Sequence, residues 1–173
     1  MKVTCETAPH YLVLCDEDLK EEGRFKMNPP LRARADMDAL REGLADGTID
    51  VVATDHAPHS AEEKSRGLAG SAMGVVGIET SLAAVYTFMV AGGVIDFGRM
   101  VELMAERPRE LLGLKGGLRV GERADMVLVD FEKEFTVSPE EFLSCGKATP
   151  FEGMRMRGEV LCTIAGGKVA YQK

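Results

Sequence analysis

Short apolar runs alternate with amphipathic stretches in the first two thirds of the chain. This alternation is typical of β/α units built around a parallel sheet. Segments 1–7 (MKVTCET) and 49–54 (IDVVAT) are predicted to be strands, and residues 51–53 are apolar, as expected where both faces of a strand are buried. A further short strand is predicted at 24–27, ended by the two prolines that follow.

Helical periodicity is predicted at 16–22, 35–47, 77–93 and 96–114. Met37, Leu40 and Leu44 lie at helical spacing, and Gly47 is placed to end that helix. Beyond residue 115 the pattern changes to β, with strands predicted at 124–131 and 159–173 around a Gly-Gly turn. We therefore divide the chain into β/α units at 1–114 and a β segment at 115–173.

The chain opens inside its first predicted strand. A parallel barrel needs about eight β/α units, and this sequence supplies only a few of them. We therefore expect a missing N-terminal half or a partner to complete the fold. Unpaired strand edges would also favour oligomerisation.

Composition narrows the class of protein. The chain has 173 residues, 45% of them hydrophobic, a net charge of -7 and a pI near 5.1, so electrostatic binding to nucleic acid or to an anionic membrane is not expected. Its four cysteines show no C-x-x-C spacing and are interpreted as reduced thiols. Since no window reaches membrane-spanning length, we expect a soluble cytoplasmic protein.

Polar side chains follow the predicted strands. His10 follows the first strand, Asp55, His56 and His59 follow 49–54, and Asn28 follows 24–27. Histidine and aspartate can bind a metal or transfer a proton, and strand ends carry the chemistry of β/α barrels. Simpler alternatives remain: a lone histidine bonded to a backbone carbonyl, an aspartate capping a turn, and Asn-Pro-Pro as a turn signal. The charged stretch 60–66 is most simply a solvated loop, or else the rim of a site.

Six motifs in series resemble the C-terminal half of class I dihydroorotases, which belong to the cyclic amidohydrolases of the metallo-dependent hydrolase superfamily. In chain order they are ETAPHYL, KMNPPLR, TDHAPHSAEEK, GVVGIETSL, ERPRELLGL and TPFEGMRMRGEV. Hydantoinases and allantoinases are similar around the strand-end aspartate. The combination of NPPLR with DHAPHSAEEK resembles dihydroorotase specifically.

The resemblance implies an α/β fold: the C-terminal part of a TIM-like (β/α)8 barrel, followed by one part of a small composite β sandwich. It also implies opening of the dihydroorotate ring, or its closure from N-carbamoyl-aspartate, in pyrimidine biosynthesis. The implied cofactor is zinc, binuclear in the complete family site, and the implied ligand is a small-molecule substrate.

The resemblance also assigns residues. His10 matches a zinc ligand, Asp55 matches a catalytic aspartate that touches the metal and transfers a proton, and His56 matches a position without a clear ligand role. The matched substrate-contacting positions are Asn28, His59, Gly74 and Gly77.

The remaining metal ligands of the family, and its substrate-binding arginine, have no counterpart in this sequence, and a catalytic zinc needs about three protein ligands. Three hypotheses stay open. The chain is the C-terminal segment of an active dihydroorotase that needs its N-terminal half, a non-catalytic interaction module, or part of an enzyme acting on hydantoin or allantoin.

Overall fold

The structure is a computed structural model that describes residues 3–115 and 117–173. Its α-helices are α1 (Pro9–Val13), α2 (Arg34–Asp46), α3 (Ala61–Lys64), α4 (Gly67–Gly70), α5 (Ser81–Val85), α6 (Phe97–Val101) and α7 (Arg107–Leu111). Its strands are β1 (Glu6–Thr7), β2 (Val51–Val52), β3 (Met126–Thr136), β4 (Arg155–Ala165) and β5 (Lys168–Gln172). The predicted mixed α/β class is confirmed, and the strands of the β/α part do not close into a barrel.

Strands β1 and β2 pair in parallel, with Glu6 opposite Val51 and Thr7 opposite Val52. The amide of Ala53 continues the ladder by donating to the carbonyl of Thr7 at 2.9 Å. Both strands are shorter than predicted, and residues 1–2 of the first lie outside the described residues. Because the strands are parallel, the segments that follow them emerge at one edge of the sheet.

Helix α2 follows its sequence signals closely. Met37 and Leu44 are buried, and Gly47 caps the helix with a left-handed φ of 89°. That conformation is available to glycine without a steric penalty, which explains why the helix ends there. The predicted helix at 35–47 is therefore confirmed to within one residue at each end.

The two later helical segments are continuous but irregular. Helix α5 passes into a π-helical turn at Tyr86–Val90, and α6 reaches α7 through another at Glu102–Glu106. The second π-helical turn ends at Glu106, two residues before Pro108, which lacks the N–H that a regular helix would use. Residues of α1, α2, β2, α5 and α6, with Met89 and Leu103 of the π-helical turns, share one core cluster.

The C-terminal β segment forms an antiparallel sheet in the order β3-β4-β5. The predicted Gly166-Gly167 turn joins β4 to β5, and both glycines have positive φ. The sheet packs on the helical part through Met156 and through the Arg157 amide, which donates to the Thr87 hydroxyl at 2.8 Å. The sheet therefore lies against the helical segment 81–90.

Two local predictions are wrong, and a third is right for all but one residue. Residues 24–27 do not form a strand; the short 3-10 helix Gly23–Phe25 lies there. The reason is that the Lys26 amide donates to the carbonyl of Gly23, and the Lys26 carbonyl accepts from loop 72–74 instead of from a neighbouring strand. The helix predicted at 16–22 is only a 3-10 turn at Asp16–Asp18. The stretch 60–66 is exposed as expected, except that Lys64 is buried, and residues 61–64 form α3 instead of a loop.

None of the helices in residues 3–115 and 117–173 is long and apolar enough to cross a membrane.

Candidate active site

His10 and Asp55 lie together at the sheet edge where β1 and β2 end. His10 is in the first turn of α1, and its Nε2 is 3.6 Å from Oδ2 of Asp55. The His10 side chain is 1% exposed, whereas that of Asp55 is 49% exposed. The pair therefore joins a buried imidazole to a carboxylate that solvent or a ligand can reach.

The imidazole of His10 is buried without a hydrogen-bond partner on Nε2 among the described residues. Burial lowers the pKa of His10 from 6.5 to about 4, so its ring is neutral at pH 7. A neutral imidazole with a free nitrogen facing a carboxylate is the form in which histidine binds a metal.

These two residues fit part of a metal site. A buried polar atom without a partner costs free energy unless a ligand satisfies it, and a cation beside Asp55 would do so. Within residues 3–115 and 117–173, no group of three or more His, Cys, Asp or Glu side chains could hold a metal by itself. The described chain thus supplies two candidate ligands.

Tyr11 connects this pair to the segment after Asn28. Its ring lies 4.1 Å from that of His10, centroid to centroid, and its hydroxyl donates to the carbonyl of Pro29 at 2.8 Å. Burial, followed by the negative charge of Asp55, raises the pKa of Tyr11 to about 12. The phenol is therefore a neutral donor that holds residues 28–30 close to the pair.

Asp55 adopts an unusual backbone conformation. Its φ is 49°, a left-handed value that Asp and Asn tolerate better than most residues. The chain turns sharply there and directs His56 back toward the 75–78 segment, where it forms an isolated parallel bridge with Val75. A backbone strained at this position is consistent with a functional site.

His56 organises the loop that contains Gly77. Its Nδ1 accepts the amide N–H of Gly77 at 3.2 Å and that of Ile78 at 3.3 Å. Because Nδ1 is an acceptor in both bonds, the ring carries its proton on Nε2. The resemblance assigned no clear ligand role to His56, although its position at the strand end next to Asp55 marked it as a candidate.

His59 directly precedes Ser60, the N-cap residue of α3. Its Nε2 donates to the carbonyl of Met73 at 2.9 Å, since a carbonyl can only accept, and its Nδ1 is 3.8 Å from Oε2 of Glu63. Ser60 and Glu63 form a capping box that starts α3 and fixes the carboxylate beside His59. Both ring nitrogens thus face partners within the protein.

Gly74 and Gly77 allow close approach between backbones. A Cβ on Gly74 would lie 2.7 Å from Cβ of Ala57 and 3.0 Å from Nε2 of His59, and its φ of 137° also favours glycine. A Cβ on Gly77 would lie 2.6 Å from the carbonyl oxygen of Thr54. Both positions therefore require glycine if their loops are to lie against 54–59.

Asn28 is exposed, and its segment is fixed to the same loops. The amide of Gly74 donates to the carbonyl of Lys26 at 3.0 Å. The structure thus brings His10 and Asp55 into direct proximity, His59 and Gly74 into contact, and Asn28 next to the Tyr11 side of the pair. Tyr11 was missed because nothing in its sequence position distinguishes it from a core tyrosine.

Comparison with known proteins identifies the family. The profile of the amidohydrolase family matches residues 7–170. The dihydroorotase of Bacillus cereus strain AH820 is 47% identical over 175 aligned residues, and that of Bacillus cytotoxicus is 46% identical. The alignments take in 100% of this chain but only 41% of each relative.

Solved structures give the same result for the fold. The L-hydantoinase (dihydropyrimidinase) from Arthrobacter aurescens superimposes with a TM-score of 0.88 at 33% identity, covering 98% of this chain and 39% of that one. The dihydropyrimidinase from Brevibacillus agri NCHU1002 gives 0.89 at 28% identity, with the same coverage. The chain is therefore similar to part of these enzymes, and it belongs to the amidohydrolase family.

Proposed function

We propose that the chain is the C-terminal portion of a dihydroorotase, which hydrolyses the ring amide of dihydroorotate and forms it from N-carbamoyl-aspartate. The observation that carries the proposal is the buried Nε2 of His10, which has no hydrogen-bond partner among the described residues and faces Asp55 where two parallel strands end. Sequence identity supports dihydroorotate over hydantoins as the substrate. This chain is 47% identical to a dihydroorotase from Bacillus cereus, and 33% identical to the L-hydantoinase from Arthrobacter aurescens.

His10 and Asp55 would hold zinc, together with ligands from outside this chain, since a catalytic zinc takes about three protein ligands. When bound, the metal lowers the pKa of its water and polarises the amide carbonyl. His10 is suited to this role because its ring is already neutral, so that no proton has to leave before it binds.

Asp55 is proposed as the proton-transfer group. Its side chain is 49% exposed and adjoins Nε2 of His10, so a substrate at this edge can reach it. A carboxylate there accepts the proton of the attacking water and returns it to the leaving ring nitrogen. The left-handed turn at Asp55 presents this carboxylate at the strand end.

Asn28, His59, Gly74 and Gly77 are proposed to orient the substrate. His59 Nε2 bonds to Met73 and its Nδ1 faces Glu63, so a substrate carboxylate must take the place of one of these partners. Backbone groups around Gly74 and Gly77 can approach a planar ring closely because no Cβ intervenes. Since the net charge is -7, attraction of an anionic substrate must be local.

The test is complementation. The chain is mixed with the part of the Bacillus cereus relative that the alignment does not cover, and zinc content and turnover of dihydroorotate, hydantoin and allantoin are measured. The proposal predicts association of the two parts, bound zinc and preference for dihydroorotate. Preference for hydantoin or allantoin would show that dihydroorotate is not the substrate. A folded complex without zinc or turnover would favour a non-catalytic interaction module.

A further inference from the structure

Lys64 is a buried lysine at the end of α3, with a relative exposure of 8%. Its Nζ donates to three main-chain carbonyls: Lys26 at 3.0 Å, Ala72 at 2.8 Å and Gly74 at 2.6 Å. An ammonium group has three N–H donors, so every donor of Lys64 is used on the backbone.

The three carbonyls belong to the segments that carry the proposed substrate contacts. Lys26 lies two residues before Asn28, and its carbonyl also accepts the amide of Gly74. In loop 72–74 the successive carbonyls of Ala72, Met73 and Gly74 bond to Lys64, His59 and Lys64 in turn. Lys64 and His59 therefore bind three successive carbonyls of one loop.

The surroundings of Lys64 are closely packed. A Cβ on Gly23 would lie within 2.1 Å of the Lys64 carbonyl oxygen and 2.3 Å of the Ser71 hydroxyl, so residue 23 must be glycine there. The amide of Ala72 donates to the carbonyl of Glu63, which fastens the loop to α3 a second time. These contacts hold the backbone of α3 close to Gly23 and to loop 72–74.

The charge of Lys64 has no counter-ion within the described residues. Among residues 3–115 and 117–173, no carboxylate forms an ion pair with it, and its contacts are neutral carbonyls. Burial, and next the charge of Lys26, lower the pKa of Lys64 to about 8. A buried lysine without a counter-ion costs stability, so its presence requires a reason beyond solubility.

We propose that Lys64 is a positioning residue that fixes loop 72–74 and the segment before Asn28 against His59, and so sets the geometry in which the substrate binds. The proposal rests on the proposed function of this site. It assigns to Lys64 no contact with the reacting atoms.

The test compares Lys64→Met, which keeps an unbranched side chain only one atom shorter and removes its charge, with Lys147→Met. Lys147 is exposed and also donates to a main-chain carbonyl, that of Phe142, at 2.6 Å, which makes it a matched control. In the complemented protein, Lys64→Met is expected to raise KM for dihydroorotate by at least about tenfold with kcat changed less than about threefold. Lys147→Met is expected to leave KM within about twofold of the wild type.

A merely structural role gives a different result. It lowers the fraction of folded protein, and hence the apparent kcat, while the folded molecules keep the wild-type KM; that outcome would overturn the proposal. If circular dichroism shows Lys64→Met to be unfolded, Lys64→Arg takes its place, because a guanidinium keeps the charge but cannot place its donors on the same three carbonyls. A KM raised at least about fivefold supports the proposal and an unchanged KM overturns it.

A second readout separates this proposal from the proposed function. Hydrogen exchange of the Gly74 amide is measured in the 173-residue chain. Exchange at least about tenfold faster in Lys64→Met than in Lys147→Met supports the positioning role, and equal exchange overturns it. If the complemented wild type does not turn over dihydroorotate, the proposed function fails, and the exchange result still decides whether Lys64 holds this loop.

Discussion

Replacing His10 by leucine is expected to stabilise the metal-free chain. The His10 side chain is 1% exposed, and its Nε2 lacks a hydrogen-bond partner among the described residues. An unsatisfied buried polar group costs about 1–3 kcal/mol of stability. An apolar side chain of similar size removes that cost, and the difference in shape between the two side chains cancels only part of the gain. We expect His10→Leu to raise the free energy of unfolding by about 1 kcal/mol at pH 7.

The pH dependence gives the same prediction a second test. The pKa of His10 falls from 6.5 in the unfolded chain to about 4 in the folded one, so between these values the unfolded chain binds more protons. The wild type therefore loses stability as pH falls from 6.5 toward 4, by up to about 3 kcal/mol. His10→Leu does not show this loss, because leucine binds no proton. The stability gap widens in acid.

The assay is urea unfolding of both chains in the presence of a chelator, at several pH values between 5 and 8, with His56→Leu as the control. His56 accepts two backbone N–H groups, so the same substitution there leaves them unpaired and is expected to cost about 1–3 kcal/mol. Destabilisation by His10→Leu of more than about 1 kcal/mol at pH 7 would refute the reasoning, because His10 would then be satisfied within the protein.

Two further predictions concern the loops at the site. Gly77→Ala is expected to lower the free energy of unfolding by about 1–3 kcal/mol in urea, because its Cβ would lie 2.6 Å from the carbonyl oxygen of Thr54; an effect below about 0.5 kcal/mol would show that the loop moves freely. Glu79→Ala is expected to speed limited proteolysis within 143–148, because the Glu79 carboxylate accepts the amides of Leu143 at 2.6 Å and Ser144 at 3.1 Å; an unchanged cleavage rate would contradict that anchoring.

Features set by neighbouring residues could be predicted from the sequence. The periodicity of α2 and the glycine that ends it are local signals, and the structure confirms both. The parallel pairing of β1 and β2 also followed from the alternation of apolar runs and helices, and it places His10 and Asp55 at the same edge. For these features, local propensity and tertiary structure agree.

Features set by distant partners could not be predicted. Phe25 and Met27 are both buried, which matches the alternation of a strand, but the backbone between them bonds to loop 72–74 and no neighbouring strand is paired there. Lys64 lies in a charged stretch that resembles a solvated loop, yet its ammonium is enclosed by carbonyls up to 38 residues away. Sequence periodicity carries no information about such contacts.

The most direct test of the proposed function is the turnover of dihydroorotate by the complemented protein with Asp55→Asn. Asparagine keeps the shape of the side chain and tolerates the left-handed φ of 49°, but it cannot accept the proton. We predict turnover by the wild type and a kcat lowered at least about 100-fold in the variant, with an unchanged circular dichroism spectrum. A kcat within about threefold of the wild type would contradict the assignment of Asp55 as the proton-transfer group.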